Sequence, residues 1–157
     1  MEEKTAPVFI AATANSIEVL PPEVLRKGRF DEIFFLDLPS ETERQEIFEV
    51  HLSRVRPNRV REFALEQLAI QSEGFNGAEI EQAIYESMHY AFDQRREFDT
   101  DDILRTMSVI VPLSKTSEER IRVLQAWAAS GRCRPASSDA ARSGMMGQLF
   151  GNASLPG

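Results

Sequence analysis

The chain has 157 residues, room for one domain or two small ones. Its 25 acidic against 18 basic residues leave a formal charge of -7, so the basic footprint of a nucleic-acid binder is missing. A single cysteine, Cys133, excludes an internal disulfide and fits a reducing compartment, and with only two histidines beside it there is no zinc-ligand spacing.

The polar opening MEEKTAP lacks the apolar segment of a secretory signal, and no apolar stretch reaches membrane-spanning length. Val8-Phe9-Ile10-Ala11-Ala12 is a short apolar run rich in β-branched and aromatic residues. It predicts a strand buried on both faces of a parallel sheet, running out at the polar Asn15. Open α/β sheets bind ligands just beyond the carboxyl ends of their strands. Ser16 to Leu20 reads as a loop. Pro21 and Pro22 can start a short helix that reaches Arg26, and Gly28 can stop it. Glu32 to Leu38, EIFFLDL, is a second strand candidate with an apolar centre, closed by Pro39.

Helical signals follow. Ser40 with Glu43 makes a capping box for a helix from Glu41 to about Val55, with Ile47, Val50 and Leu52 on its apolar side and Phe48 and His51 flanking. Pro57 and Asn58 end it. Arg54, Arg56, Arg59 and Arg61 form a basic cluster that reads as a solvated helix end rather than a binding patch. Leu65 to Ser72 is a second helix, with Gly74 at its stop. Asn76 with Glu79 caps a third, whose period through Ile80, Ala83, Ile84, Ser87, Met88 and Ala91 runs to about Arg95. A loop centred on Phe98 leads to Thr100, a plausible cap, and a short helix to about Val109. Pro112 breaks the chain again. Thr116 with Glu119 then predicts a capped helix from Ser117 to Ala129, with Trp127 as a packing anchor. From Gly131 onward the sequence is rich in small residues and aperiodic, which predicts disorder. Met145, Met146, Leu149 and Phe150 form a weak apolar island within it.

Several of these residues carry chemistry. Asn15 reads either as a turn residue or as a polar group at the sheet's edge that orients water. Arg26 and Arg29 are planar, permanently charged forks suited to phosphate; the alternative is a surface ion pair, for example Arg29 with Asp31 or Glu32. The wording from Val8 to Asp31, VFIAATANSIEVLPPEVLRKGRFD, resembles the second half of the nucleotide-binding domain of AAA ATPases. The resemblance runs from about Val8 to about Ile110. Within the family it is most like the uncharacterised AAA proteins of cyanobacteria and plastids, through LPPEVLRKGRFDEIFFLDLP and the Ala-Asn before it.

The resemblance implies a fold and a set of roles. The fold class is α/β: terminal strands of a parallel P-loop-type sheet, then a small helical-bundle lid. Asn15 falls on the family's first sensor residue. Arg26 and Arg29 fall on its two arginine fingers, which reach into a neighbouring subunit's ATP site. His51 falls where relatives keep a histidine beside the ribose and adenine, though it also reads as a half-buried helix histidine; His89 has no such context. Gly77-Ala78-Glu79 matches the start of the second-sensor helix, with Ala78 in place of the sensor arginine. ATP with Mg²⁺ would be the cofactor, and other AAA subunits in a homo-oligomeric ring, a hexamer in the full-length protein, the partners. No nucleic acid and no membrane are implied. The compartment would be the cytoplasm, or the plastid stroma if the gene is plastid-encoded.

A phosphate-cradling G-x-x-x-x-G-K-[ST] segment is not found in these 157 residues, nor is an apolar strand ending in paired acids to hold magnesium. Asp37 is a single acid, in the strand after the fingers. The chain therefore reads as the C-terminal part of an ATPase module: residues 1–39 from the α/β subdomain, 40–111 the lid, 112–130 an extra helix and 131–157 a disordered tail. Alone it should hydrolyse no ATP. A rival expectation is a non-catalytic fragment that pairs with full-length AAA subunits. Another is a poorly folding remnant with open strand edges.

Overall fold

The computed structural model describes residues 8–17, 20–21, 23–24, 26 and 28–137. The chain divides into two compact units, Met1–Ile33 and Phe34–Gly157. The lead-in before Val8 lies outside the described residues, as do Pro22 and the apolar island of Met145, Met146, Leu149 and Phe150.

In the first unit the expected strand over residues 8–12 is not formed: these residues have no regular structure. Phe9 is 94% exposed, and Val8 and Ile10 are at least half exposed. A buried strand is made by the strands on either side of it, and among the described residues no ladder forms beside this run. The short helix expected to begin at Pro21 gives way to turns. The Val24 amide donates to the Pro21 carbonyl at 2.9 Å, and the Arg29 amide to the Arg26 carbonyl at 3.2 Å. A helix of six residues without a packed face cannot recover its nucleation cost. Gly28 does sit at positive φ, +90°, where it turns the chain.

The second unit opens with β1, Phe34–Phe35. It pairs in parallel with β2, Arg134–Pro135, in the register Phe34 to Arg134 and Phe35 to Pro135. The strand expected over 32–38 thus shrinks to two residues, and its apolar centre is not buried: Phe34 is 57% and Leu36 79% exposed. One two-residue neighbour covers little of it. The tail expected to be irregular from Gly131 is instead ordered through β2, and residues 138–157 lie outside the described residues.

Six helices lie between the strands. α1, Glu41–Val55, starts with the expected reciprocal box: the Glu43 amide donates to Ser40 Oγ at 3.3 Å and the Ser40 amide to Glu43 Oε2 at 2.9 Å. Its buried positions are Arg44, Phe48 and Leu52, whereas Val50 is 49% exposed; the apolar stripe is therefore centred one position away from the expected one. A 3-10 turn, Val60–Glu62, leads to α2, Leu65–Gln71, and Gly74 ends that corner at φ +80°. α3, Gly77–Asp93, carries its box between Asn76 and Glu79 and buries Ile80, Ala83, Ile84, Ser87 and Ala91, the expected period.

α4, Thr100–Val109, is capped by Asp99 and not by Thr100; Asp99 Oδ1 accepts from the Asp102 amide at 3.1 Å. Thr100 Oγ1 instead accepts from the Ala64 amide at 3.1 Å, tying α4 to the start of α2. α5, Leu113–Thr116, is a single turn, and α6 is Glu118–Trp127. The box expected between Thr116 and Glu119 is not made, because Pro112 starts an extra turn that takes in Thr116, whose hydroxyl points back to the Leu113 carbonyl at 3.4 Å. A π-type turn, Ala128–Arg132, connects α6 to β2.

One core holds α1 to α4 together. Phe48, Leu52, Phe63, Leu68, Phe75, Ile80, Ile84, Phe98 and Ile103 meet in it, with Phe63 and Phe98 at 5.1 Å between ring centres. Large apolar side chains of this kind contribute about 1.5–3 kcal/mol each when fully buried. The arginine cluster after α1 is ion-paired at the rim: Arg56 and Arg59 share Glu97 at 2.9 and 3.1 Å, and Arg59 also holds Glu62 at 2.7 Å. Among the described residues no buried side-chain polar atom lacks a hydrogen-bond partner, and no helix is long and apolar enough to cross a membrane.

Candidate functional site

The first unit presents Asn15, Arg26 and Arg29. All three are exposed. Arg26 and Arg29 stand at the two ends of one turn, closed by the 3.2 Å backbone bond and by left-handed Gly28. Among the described residues no ion pair joins the Arg26 or Arg29 guanidinium to a carboxylate. Two exposed cationic forks three positions apart suit an anion that carries several oxygens.

The second unit brings His51, Gly77 and Ala78 to the seam between α1 and α3. Gly77 faces Ile47, whose Cδ1 would lie 3.9 Å from a β-carbon added at Gly77. One turn further along both helices, His51 Nδ1 meets Glu81 Oε1 at 3.3 Å. The two contacts advance together, so α1 and α3 run in the same sense along this seam. The spacing at Gly77 is ordinary van der Waals contact, so a side chain there would be accommodated. Sequence reading does not single out Glu81; the signal was its position four residues after Gly77, on the face turned to α1.

The start of α3 is closed by the chain's own groups. Glu79 Oε2 accepts the Asn76 amide at 2.9 Å and Asn76 Oδ1 the Glu79 amide at 3.0 Å, while Glu79 Oε1 accepts the Leu113 amide at 2.7 Å. The first turn, Gly77 to Ile80, carries an acid and no base. A helix start favours anions through its N–H groups, yet here a carboxylate already takes that field. The start of α3 therefore has little left to offer an anion. At the seam His51 can offer or accept a hydrogen bond, and the exposed Ala78 leaves room.

A further charged cluster joins α3, α4 and the loop between them. Asp102, 3% exposed, receives Arg96 through both oxygens at 2.5 and 2.7 Å and Arg105 at 2.6 Å. Arg105 also stacks over the Tyr90 ring at 3.6 Å. The Arg96 guanidinium holds the Asp102 carboxyl below the ordinary aspartate value. Every oxygen is matched and no open position remains, so the arrangement is structural. Among the described residues no group of acids, histidines and cysteines is placed to hold a metal ion.

Residues 62–105 match the AAA+ lid domain family. The chain carries an AAA+ lid domain. The matched span runs from the 3-10 turn into α4 and so takes in α2 and α3, while α1, which supplies Phe48 and Leu52 to the same core, lies before it. The chain is 56% identical over 137 residues to the uncharacterized AAA domain-containing protein ycf46 of Pyropia yezoensis, 87% of this chain and 28% of that protein. Its counterpart in Trieres chinensis is 54% identical over 138 residues, 88% of this chain and 28% of the relative. A more distant relative, the ATP-dependent zinc metalloprotease FtsH 2 of Sphaerobacter thermophilus, is 38% identical over 107 residues, 68% of this chain and 16% of that protein. The chain thus spans less than a third of the length of the curated relatives it matches. No solved structure matches it.

Proposed function

We propose that this chain supplies the fingers and the lid of an ATP-hydrolysing AAA ring that remodels proteins. Arg26 and Arg29 reach the triphosphate bound by the next subunit and offset the charge that builds on the transferring phosphoryl group. Asn15 orients the attacking water. His51, Gly77 and Ala78 flank base and sugar, and the lid moves with nucleotide state. ATP and Mg²⁺ would be held by a phosphate loop and an acid pair that are not among these residues, and the metal would supply charge neutralisation at the phosphoryl oxygens. Without those groups this chain turns over no ATP by itself.

The observation that carries the reading is the Arg26–Arg29 turn: two exposed arginines on one left-handed glycine turn, with no carboxylate partner among the described residues. It is tested in a chimera in which this chain replaces the matching 137 residues of the Pyropia yezoensis relative. R26A and R29A should each lower kcat by about 10² or more while nucleotide affinity changes little, since fingers of this type contribute roughly 10³–10⁵ in GTPases. Equal turnover in the variants and the parent chimera would refute the assignment.

A further inference from the structure

The residues after the lid do not trail away from it. α5 begins at Leu113 with its amide on Glu79, the residue that caps α3. Ser114 fills the space beside Gly74, its Oγ only 2.5 Å from where a β-carbon would stand. At the other end of α6, Gln125 Nε2 donates to both oxygens of Asp37 at 2.9 and 3.1 Å. Beyond it β2 lies parallel to β1, and the Ala136 amide donates to the Phe35 carbonyl at 2.9 Å. Ser137 then bonds the Glu43 carboxylate, in the first turn of α1. Residues 113–137 therefore touch the lid at the start of α3 and grip the segment 34–43 at three successive points. That segment is the one that joins the first unit to the lid.

We propose that residues 113–137 are a strap that fixes the segment 34–40 to the lid, so that release or seating of the strap sets how firmly that segment is held against α1 to α4. The strap begins at the capped start of α3, a place that the nucleotide reading also uses, but the strap itself does not rest on that reading. None of its contacts belongs to the lid core, since α6 buries no residue fully. It can therefore detach without unfolding α1 to α4.

Amide exchange of the nucleotide-free 157-residue chain tests this. A136P removes the N–H that holds Phe35, and Q125A removes the grip on Asp37. A136P should speed exchange of a peptide covering 34–40 by about three- to tenfold and Q125A by about two- to threefold, the scale of one net hydrogen bond. Exchange in a peptide covering 80–91 of α3 should stay unchanged. R122A, which breaks only the Arg122–Glu118 pair within α6, should change neither. The proposal is overturned if residues 34–40 exchange at an unprotected rate in the parent chain, or if neither substitution alters them. It is overturned equally if α3 accelerates together with residues 34–40, because the arm would then be part of the lid's fold. Because no nucleotide is added, the outcome is independent of whether Arg26 and Arg29 are fingers.

Discussion

Asp102 takes a negative charge into the lid at 3% exposure, and its two arginine partners, 38% and 49% exposed, reach it from the solvent side. Removing its charge leaves those arginines able to rehydrate, so the cost is smaller than for a fully buried pair. D102N should lower unfolding free energy by about 1–3 kcal/mol in a urea titration. The direction of the pH effect follows from the depressed pKa. The folded carboxyl binds a proton less readily than the unfolded one, so acid favours the unfolded chain. The contribution of Asp102 is complete above the ordinary value of 3.8 and is lost as pH falls through the lower folded value. Glu97, held down by Arg56, and Glu43, held down by Ser137, act in the same direction. Thermal melts from pH 7 towards pH 2 should show a steeper acid decline in the parent than in D102N. Gly74 is a second informative position. At φ +80° with Ser114 Oγ in the way, G74A should destabilise by about 1–2 kcal/mol. Adding S114A to G74A should return part of the loss and leave the part due to the backbone.

Elements show which signals are local and which are not. The boxes Ser40–Glu43 and Asn76–Glu79 were legible because both partners lie within one helical turn, and both are made. The box at Asp99–Asp102 departs from the usual pattern of Glu or Gln at the third position, because the shorter aspartate does the same work there. Thr116 failed as a cap because Pro112, four residues earlier, had already started a turn. The run Val8 to Ala12 has a strand's composition, but a strand is completed by neighbours, which no local pattern contains. β2 was illegible for the same reason: Arg134-Pro135 has no strand signature, and only the geometry of α6 brings it to Phe35. Of the candidate site, Gly77 and Ala78 at a helix start were readable from capping, while the Glu81 partner of His51 depended on how α1 crosses α3. N76A should cost about 1 kcal/mol of lid stability in the same titration. F48A, which empties a position at 0% exposure, should cost about 3–5 kcal/mol and leave the lid largely unfolded.

For the molecule as a whole, the division between Met1–Ile33 and Phe34–Gly157 separates two kinds of task. The lid closes its own core, and among the described residues no buried side-chain polar atom lacks a hydrogen-bond partner. The first unit has no ladder among its described residues and exposes Phe9. Arginines that act across a subunit seam need a rigid base, and in the proposed ring the sheet strands beside residues 8–12 would provide it. The direct measurement is single-turnover ATP hydrolysis by the chimera described above, comparing the parent with R26A, R29A and the conservative R29K. A fall of about 10² or more in the rate for both alanine variants, with ring assembly by sedimentation and nucleotide affinity retained, is the predicted result. Unchanged single-turnover rates in assembled rings would contradict it.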